Sequence, residues 1–142
     1  MKIENYFNNS PVFSLIDLGR MTQNYINSDL KTLGLSYSQA LILVSLFVEN
    51  RDNIIVKELV EVFPFTKGAI SQNLSILEEK KYIKRHSSND RRNTLLKVTS
   101  AGKKLAQEIM SLLESREQSF EKLLDQKLMN HLKSVKEIIK PK

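Results

Sequence analysis

Three short polar side chains, Ser71, Gln72 and Ser75, recur at helical spacing within residues 65–81. At about 100° per residue they share with Gly68 the side of a helix opposite Ile70, Leu74 and Leu77. Serine and glutamine hydrogen-bond base edges, and the amide of Gln72 pairs two ways with adenine. A face that is small, polar and uncharged also fits deep into a groove. Thr66 and Lys67 stand at the amino end of the same helix. Backbone amides and a partial positive charge gather there, which suits them to fixing a phosphate backbone. The competing reading of Ser71, Gln72 and Ser75 is the polar surface of any exposed helix.

Basic residues follow at once. From Lys80 to Lys104 they are Lys80, Lys81, Lys84, Arg85, Arg91, Arg92, Lys97, Lys103 and Lys104, against Asp90 alone. The window carries a net +8 while the whole chain carries +6, so the positive charge is local. Lys84, Arg85 and Arg91 are candidate phosphate contacts, and a strand edge kept soluble by charge is the alternative for each. Charge alone fits three functions: sequence-specific DNA binding, general nucleic-acid binding in chromosome organisation, and docking of an acidic protein. The uncharged face of Gly68 to Ser75 favours the first, because a protein-docking helix presents aromatic or aliphatic anchors.

The elements that must position these residues are legible in the apolar pattern. Val56, Leu59, Val60 and Phe63 mark one stripe of a short helix that Pro64 stops, and Thr66 is placed to cap the next. Two strand-like runs, 82–88 and 93–99, flank Asn89-Asp90-Arg91-Arg92 and predict a hairpin with a basic tip. Ile54 and Ile55 predict a short third strand, and Ile55-Val56 offers no polar cap to the helix that follows. Upstream, Pro11 opens a helix striped by Val12, Ile16, Gly19, Gln23, Ile26, Leu30 and Leu33 and ending near Gly34. Ser36 and Gln39 form a capping box before Ala40–Val48, an apolar run that belongs at the centre of the core. Residues 1–10 are polar and Asn-rich, and are predicted to lack fixed structure.

Downstream, Thr99 caps a long helix carrying Leu105, Ile109, Leu112, Leu113, Phe120 and Leu123. Asp125 caps a last one with Leu128, Leu132, Val135, Ile138 and Ile139. With the helix opened by Pro11 they offer more apolar surface than one small domain covers. At roughly 25 cal/mol per Å², leaving it in water forgoes on the order of several kcal/mol, so a homodimer is expected.

A chain of 142 residues with 41% hydrophobic content is expected to form one domain. No apolar run is long enough for a bilayer, no signal sequence opens the chain, and a cytoplasmic location is expected. Without cysteine there is no disulfide, thiolate nucleophile or cysteine ligand. His86 and His131 lie far apart with no nearby nucleophile, and no Walker loop, Gly-x-Ser-x-Gly or His-Glu-x-x-His occurs. The expectation is therefore no enzyme, no cofactor and no metal.

The order helix, turn, helix, hairpin, with Asp90-Arg91-Arg92 at the tip and Val98-Thr99-Ser100-Ala101-Gly102 after it, resembles the MarR family of bacterial transcriptional regulators. Residues 66–72 and 77–85 resemble that family's recognition helix and its run into the wing. The resemblance implies a mainly α fold with a small β-hairpin wing, as a single domain over 1–142. Residues 36–99 would form the winged helix-turn-helix, and 11–34 and 100–142 the dimerisation helices. It implies a homodimer on a pseudo-palindromic operator in double-stranded DNA, acting by family habit as a repressor. Arg92 would be the wing-tip arginine that enters the minor groove. Asp90 would brace that tip, since a carboxylate is repelled by phosphate. The family's effector is a small, often aromatic or amphipathic molecule bound between the dimerisation helices and the winged lobe. Tyr25, Tyr37 and Phe47 are lining candidates, with core packing the competing role. Some relatives sense zinc, which the two histidines leave open.

Overall fold

The computed structural model describes residues 2–51, 54–87, 94–121 and 123–140, which fall into two compact units, Met1–Met110 and Ser111–Lys142. In the first unit the elements run α1 (Lys2–Asn9), α2 (Pro11–Thr32), α3 (Tyr37–Glu49), β1 (Ile54–Ile55), α4 (Val56–Val62), α5 (Lys67–Glu79), β2 (Ile83–Ser87) and β3 (Thr94–Val98). It also holds the first half of α6 (Ser100–Phe120). The second unit holds the rest of α6 and α7 (Gln126–Ile139).

The anticipated start and stop signals act where they stand in the sequence. Pro11 occupies the first turn of α2, and the chain leaves that helix through Gly34 in the left-handed region at φ +72°. Ser36 and Gln39 form a reciprocal capping box on α3. Thr66, Thr99 and Asp125 accept from the amides of Ala69, Gly102 and Leu128 at 3.1, 3.1 and 2.7 Å. The entry to α4, with no polar cap, is solved from inside the helix. Glu58 reaches back to accept the Ile55 amide at 2.9 Å, and Arg51 pairs with the same carboxylate at 2.6 Å. These bonds, Arg51's first, hold the Glu58 carboxyl below its ordinary pKa.

The core of the first unit closes around α3, whose Ile42, Leu43 and Leu46 are almost fully buried. Ile70, Leu74 and Leu77 from α5, Ile83 from β2, Leu96 from β3 and Ile109 from α6 complete it. The sheet is antiparallel in the order β1-β3-β2, with Ile54 opposite Leu96, and Ile55 opposite Leu95, so the expected third strand is present. β2 and β3 pair antiparallel from Ile83↔Val98 to Ser87↔Thr94, within the two strand-like runs that the sequence predicts.

Residues 1–10 correct the sequence reading. Residues 2–9 form α1, because Ile3, Tyr6 and Phe7 share a face and Tyr6 and Phe7 meet Phe13 of α2 edge-on. The ring centroids of Phe7 and Phe13 are 4.7 Å apart.

Candidate nucleic-acid interface

α5 presents the face that its sequence specifies. Gly68, Ser71, Gln72 and Ser75 are exposed, as are Thr66 and Lys67 at its amino end, while Ile70, Leu74 and Leu77 are sealed in the core. The amphipathic spacing alone dictates this, since every residue that could anchor α5 lies on one stripe. A groove bordered by Lys57, Val60, Lys67, Ser71, Arg85 and Thr94 runs between α4, α5 and the wing.

Two of the predicted contact residues hold each other. The Arg85 side chain donates to Glu78 from Nε at 2.7 Å and to the Ser75 hydroxyl at 2.9 Å. Ser75 in turn donates to the carbonyl of Ser71, one turn back, at 3.0 Å. Its hydroxyl is thus engaged on both sides, whereas Gln72 projects from the exposed face beside it. Lys84 is exposed on the opposite side of β2 from Arg85, as strand alternation requires. Arg91, Arg92 and Asp90, predicted as phosphate contact, minor-groove probe and brace, lie outside the described residues.

Glu78 is the site residue that sequence reasoning missed. It accepts from both the backbone and the side chain of Arg85, and these bonds, the side chain's first, pull its carboxyl below the ordinary glutamate range against the effect of burial. The chain reversal that brings the two together passes through Lys81 at φ 64°. A lysine in that conformation is no turn signal, so nothing in the sequence marks the pairing. Thr99 closes the base of the wing, its hydroxyl donating to the Lys81 and Tyr82 carbonyls at 2.7 and 3.1 Å. Gly102 then lets α6 pass the Tyr82 carbonyl, which lies 2.0 Å from where a Cβ would sit.

A family model described as a winged helix DNA-binding domain matches residues 40–116. This chain belongs to that family. The match runs from within α3 through most of α6 and includes the stretch that builds the winged helix. Among solved structures, the winged-helix protein is similar to MepR of S. aureus in complex with DNA. The TM-score is 0.79 at 20% identity, over 88% of this chain and 92% of that one. A mutant MarR from E. coli complexed with operator DNA gives a TM-score of 0.76 at 24% identity, over 92% and 94% of the two chains. A further structure of MepR, a transcription regulator of the S. aureus multidrug efflux pump MepA, gives 0.69 at 19% identity over 88% and 92%. The resemblance to the MarR family therefore holds at the level of fold. A search of curated proteins finds no significant match.

The predicted lining candidates in the winged-helix protein are placed differently from one another. Tyr37 and Phe47 are half-buried, the former with its backbone amide held by Asn27 at 3.1 Å, while Tyr25 on α2 is exposed. His86 and His131 are exposed, and among the described residues no three His, Asp or Glu side chains converge on one point. No single described helix is long and apolar enough to cross a membrane.

Proposed function

We propose that the protein is a homodimeric, sequence-specific transcriptional regulator that represses from a pseudo-palindromic operator. The observation that carries this reading is the exposed, uncharged face of α5, with Gln72 at its centre, clamped to a basic hairpin through Arg85 and Glu78. In this reading Gln72 and Ser71 read base edges in the major groove. Thr66, Lys67, Lys84 and Arg91 hold phosphates, and Arg92, braced by Asp90, enters the minor groove. Arg85 and Ser75 first fasten the wing to α5, so that both probes approach DNA as one rigid unit. That the similar structures of MepR and MarR hold DNA supports the same use here.

The dimer accounts for apolar surface on the helices outside the winged region. Val12, Ile16, Leu18 and Met21 on α2 are exposed, as are Ile138 and Ile139 on α7. Two-fold pairing through such helices sets two reading heads about one turn of DNA apart. A small aromatic or amphipathic effector that changed this spacing would release the operator without unfolding either head.

Selection from random duplex DNA at physiological salt tests the function. Enrichment of a single inverted repeat is the expected result. Retention without enrichment would identify a general nucleic-acid binder, and no retention a protein-docking module.

A further inference from the structure

α2 joins the core of its unit near its carboxyl end. Residues 11–25 are exposed, Ile26 and Asn27 are half-buried, and Leu30 is sealed in the core. From Leu30 back to Pro11 the helix runs about 28 Å, so a turn of about 5° at its root moves its far end by about 2.5 Å. That root is built from a motif that also ends α5. Leu35 and Gly34 donate their amides to the carbonyls of Leu30 and Lys31 at 3.1 and 3.0 Å, with Gly34 at φ +72°. Tyr82 and Lys81 donate theirs to Leu77 and Glu78 at 2.9 and 2.8 Å, with Lys81 at φ 64°. Both are Schellman turns, in which the residue after the helix takes the left-handed conformation and the last carbonyls are satisfied.

One side chain joins the two turns. Lys80, the residue that closes α5, donates from Nζ to the carbonyl of Gly34. A Cβ on Gly34 would stand 4.0 Å from that nitrogen. The ammonium therefore sits at the negative end of α2, a favourable place for a cation. The turn after α5 is held from another side as well. Its Tyr82 carbonyl accepts the Thr99 amide at 3.0 Å, and Gly102 of α6 packs against it. The carboxyl end of α5 is thus tied to α2 by Lys80 and to α6 by Tyr82. Its amino end, where Thr66 and Lys67 are proposed to hold phosphate, lies about 20 Å away along a helix of 13 residues.

We propose that Lys80 is a positioning residue. By tying the last turn of α2 to the last turn of α5, it fixes the angle between the arm that pairs two copies and the helix that reads DNA, and so sets the half-site spacing that the dimer accepts. The spacing claim rests on the regulator reading, whereas the tie itself does not. Asn27 also holds this root, accepting the Tyr37 amide at 3.1 Å, but it joins α2 to the element that follows it in the chain. Lys80 reaches across 46 residues to the proposed reading helix. Both ends of its bond are exposed, so removing the donor leaves Leu30 and Leu74 packed and the protein folded while the arm gains freedom. Each base pair inserted between half-sites moves the second by about 3.4 Å and turns it by about 34°, which a firmly held arm rejects.

The test compares the full-length wild type with Lys80→Met, which keeps the aliphatic stem, with Lys80→Arg, which restores a donor, and with Lys67→Met. The DNA probes are the inverted repeat enriched by selection, the same repeat with its spacer changed by one or two base pairs, and an isolated half-site. Wild type and Lys80→Arg lose about tenfold or more in affinity at the altered spacers. Lys80→Met loses about threefold or less there and binds the isolated half-site as wild type does. Lys67→Met shows the reverse, weaker binding to every probe with the spacing preference unchanged. Amide hydrogen exchange without DNA reads the tie itself, Gly34 and Leu35 exchanging about fivefold faster in Lys80→Met than in wild type or Lys80→Arg. An unchanged spacing profile in Lys80→Met overturns the proposal, as does a Lys80→Arg profile that matches Lys80→Met. Loss of half-site affinity in Lys80→Met also overturns it, by making Lys80 a phosphate contact. If wild type enriches no inverted repeat, the regulator reading fails by itself, and faster exchange at Gly34 and Leu35 then upholds the tie. Unchanged exchange at those amides overturns the proposal in either case.

Discussion

Arg85 and Glu78 join the wing to the recognition helix by two parallel bonds, Nε to one carboxylate oxygen at 2.7 Å and the Arg85 amide to the other at 3.0 Å. If α5 and the hairpin approach DNA together as proposed, this pair ties one to the other. Because the folded state lowers the pKa of Glu78, the bond contributes stability above the ordinary glutamate range and loses it as pH falls through the lowered folded value. The Arg85 and Glu78 side chains are 29% and 38% exposed, so solvent screening limits the contribution to about 0.5–1 kcal/mol. Melting temperature measured against pH should fall less steeply on the acid side in Glu78→Gln than in wild type. Coincident profiles would show that the pair does not couple wing to helix.

Gln72 and Ser75 make separable predictions although both face outward from α5. The Ser75 hydroxyl accepts from Arg85 and donates to the Ser71 carbonyl, so Ser75→Ala should loosen the wing and weaken all DNA sequences alike. Gln72→Ala should instead reduce discrimination at one or two base pairs, by about 1–3 kcal/mol for a bidentate contact. Parallel selections from random duplex DNA read the difference. An unchanged preferred sequence in Gln72→Ala would remove Gln72 from the reading face.

These two residues also show what the sequence could convey. The spacing of Ile70, Leu74 and Leu77 fixes which side of α5 is exposed, and the caps at Ser36, Thr66, Thr99 and Asp125 are local signals that need no tertiary context. The clasp of Arg85 is not local. It depends on a reversal through Lys81 at positive φ, so Arg85 reads in sequence as a residue available to phosphate. The entry to α4 is hidden from the sequence for the same reason, because Glu58 supplies from within the helix what the residue before it lacks. α1 is hard to read for another reason. The spacing of Ile3, Tyr6 and Phe7 was present, but a helix of eight residues is marginal alone and is held by Phe13 beyond the break at Ser10.

Gly102 and Thr99 fix the angle at which α6 leaves the wing. A Cβ on residue 102 would lie 2.0 Å from the Tyr82 carbonyl oxygen and 2.9 Å from a Val98 methyl, so the backbone itself must shift. Gly102→Ala should cost about 2–3 kcal/mol by overpacking. Thr99→Ala removes the hydroxyl that donates to the Lys81 and Tyr82 carbonyls and caps Gly102, and should cost about 1–2 kcal/mol. Urea denaturation measures both. A Gly102→Ala protein as stable as wild type would mean that α6 and the wing base are not in close contact.

Exposed apolar side chains on α2 and α7 bear on the proposed dimer. Leu18 is 61% exposed and Ile138 82%, so neither contributes to the core of its own unit, and a charge there leaves the protomer folded. Leu18→Glu/Ile138→Glu should therefore keep wild-type helicity by circular dichroism while sedimenting as a monomer at micromolar concentration. Operator affinity should fall by about 10²–10⁴-fold, because a duplex then meets one reading head at a time instead of two held at fixed spacing. Affinity for a single half-site should be unchanged, which separates loss of pairing from damage to the winged helix. A variant that remains a dimer with full operator affinity would place the two-fold contact elsewhere, and a wild type that sediments as a monomer would refute the dimer.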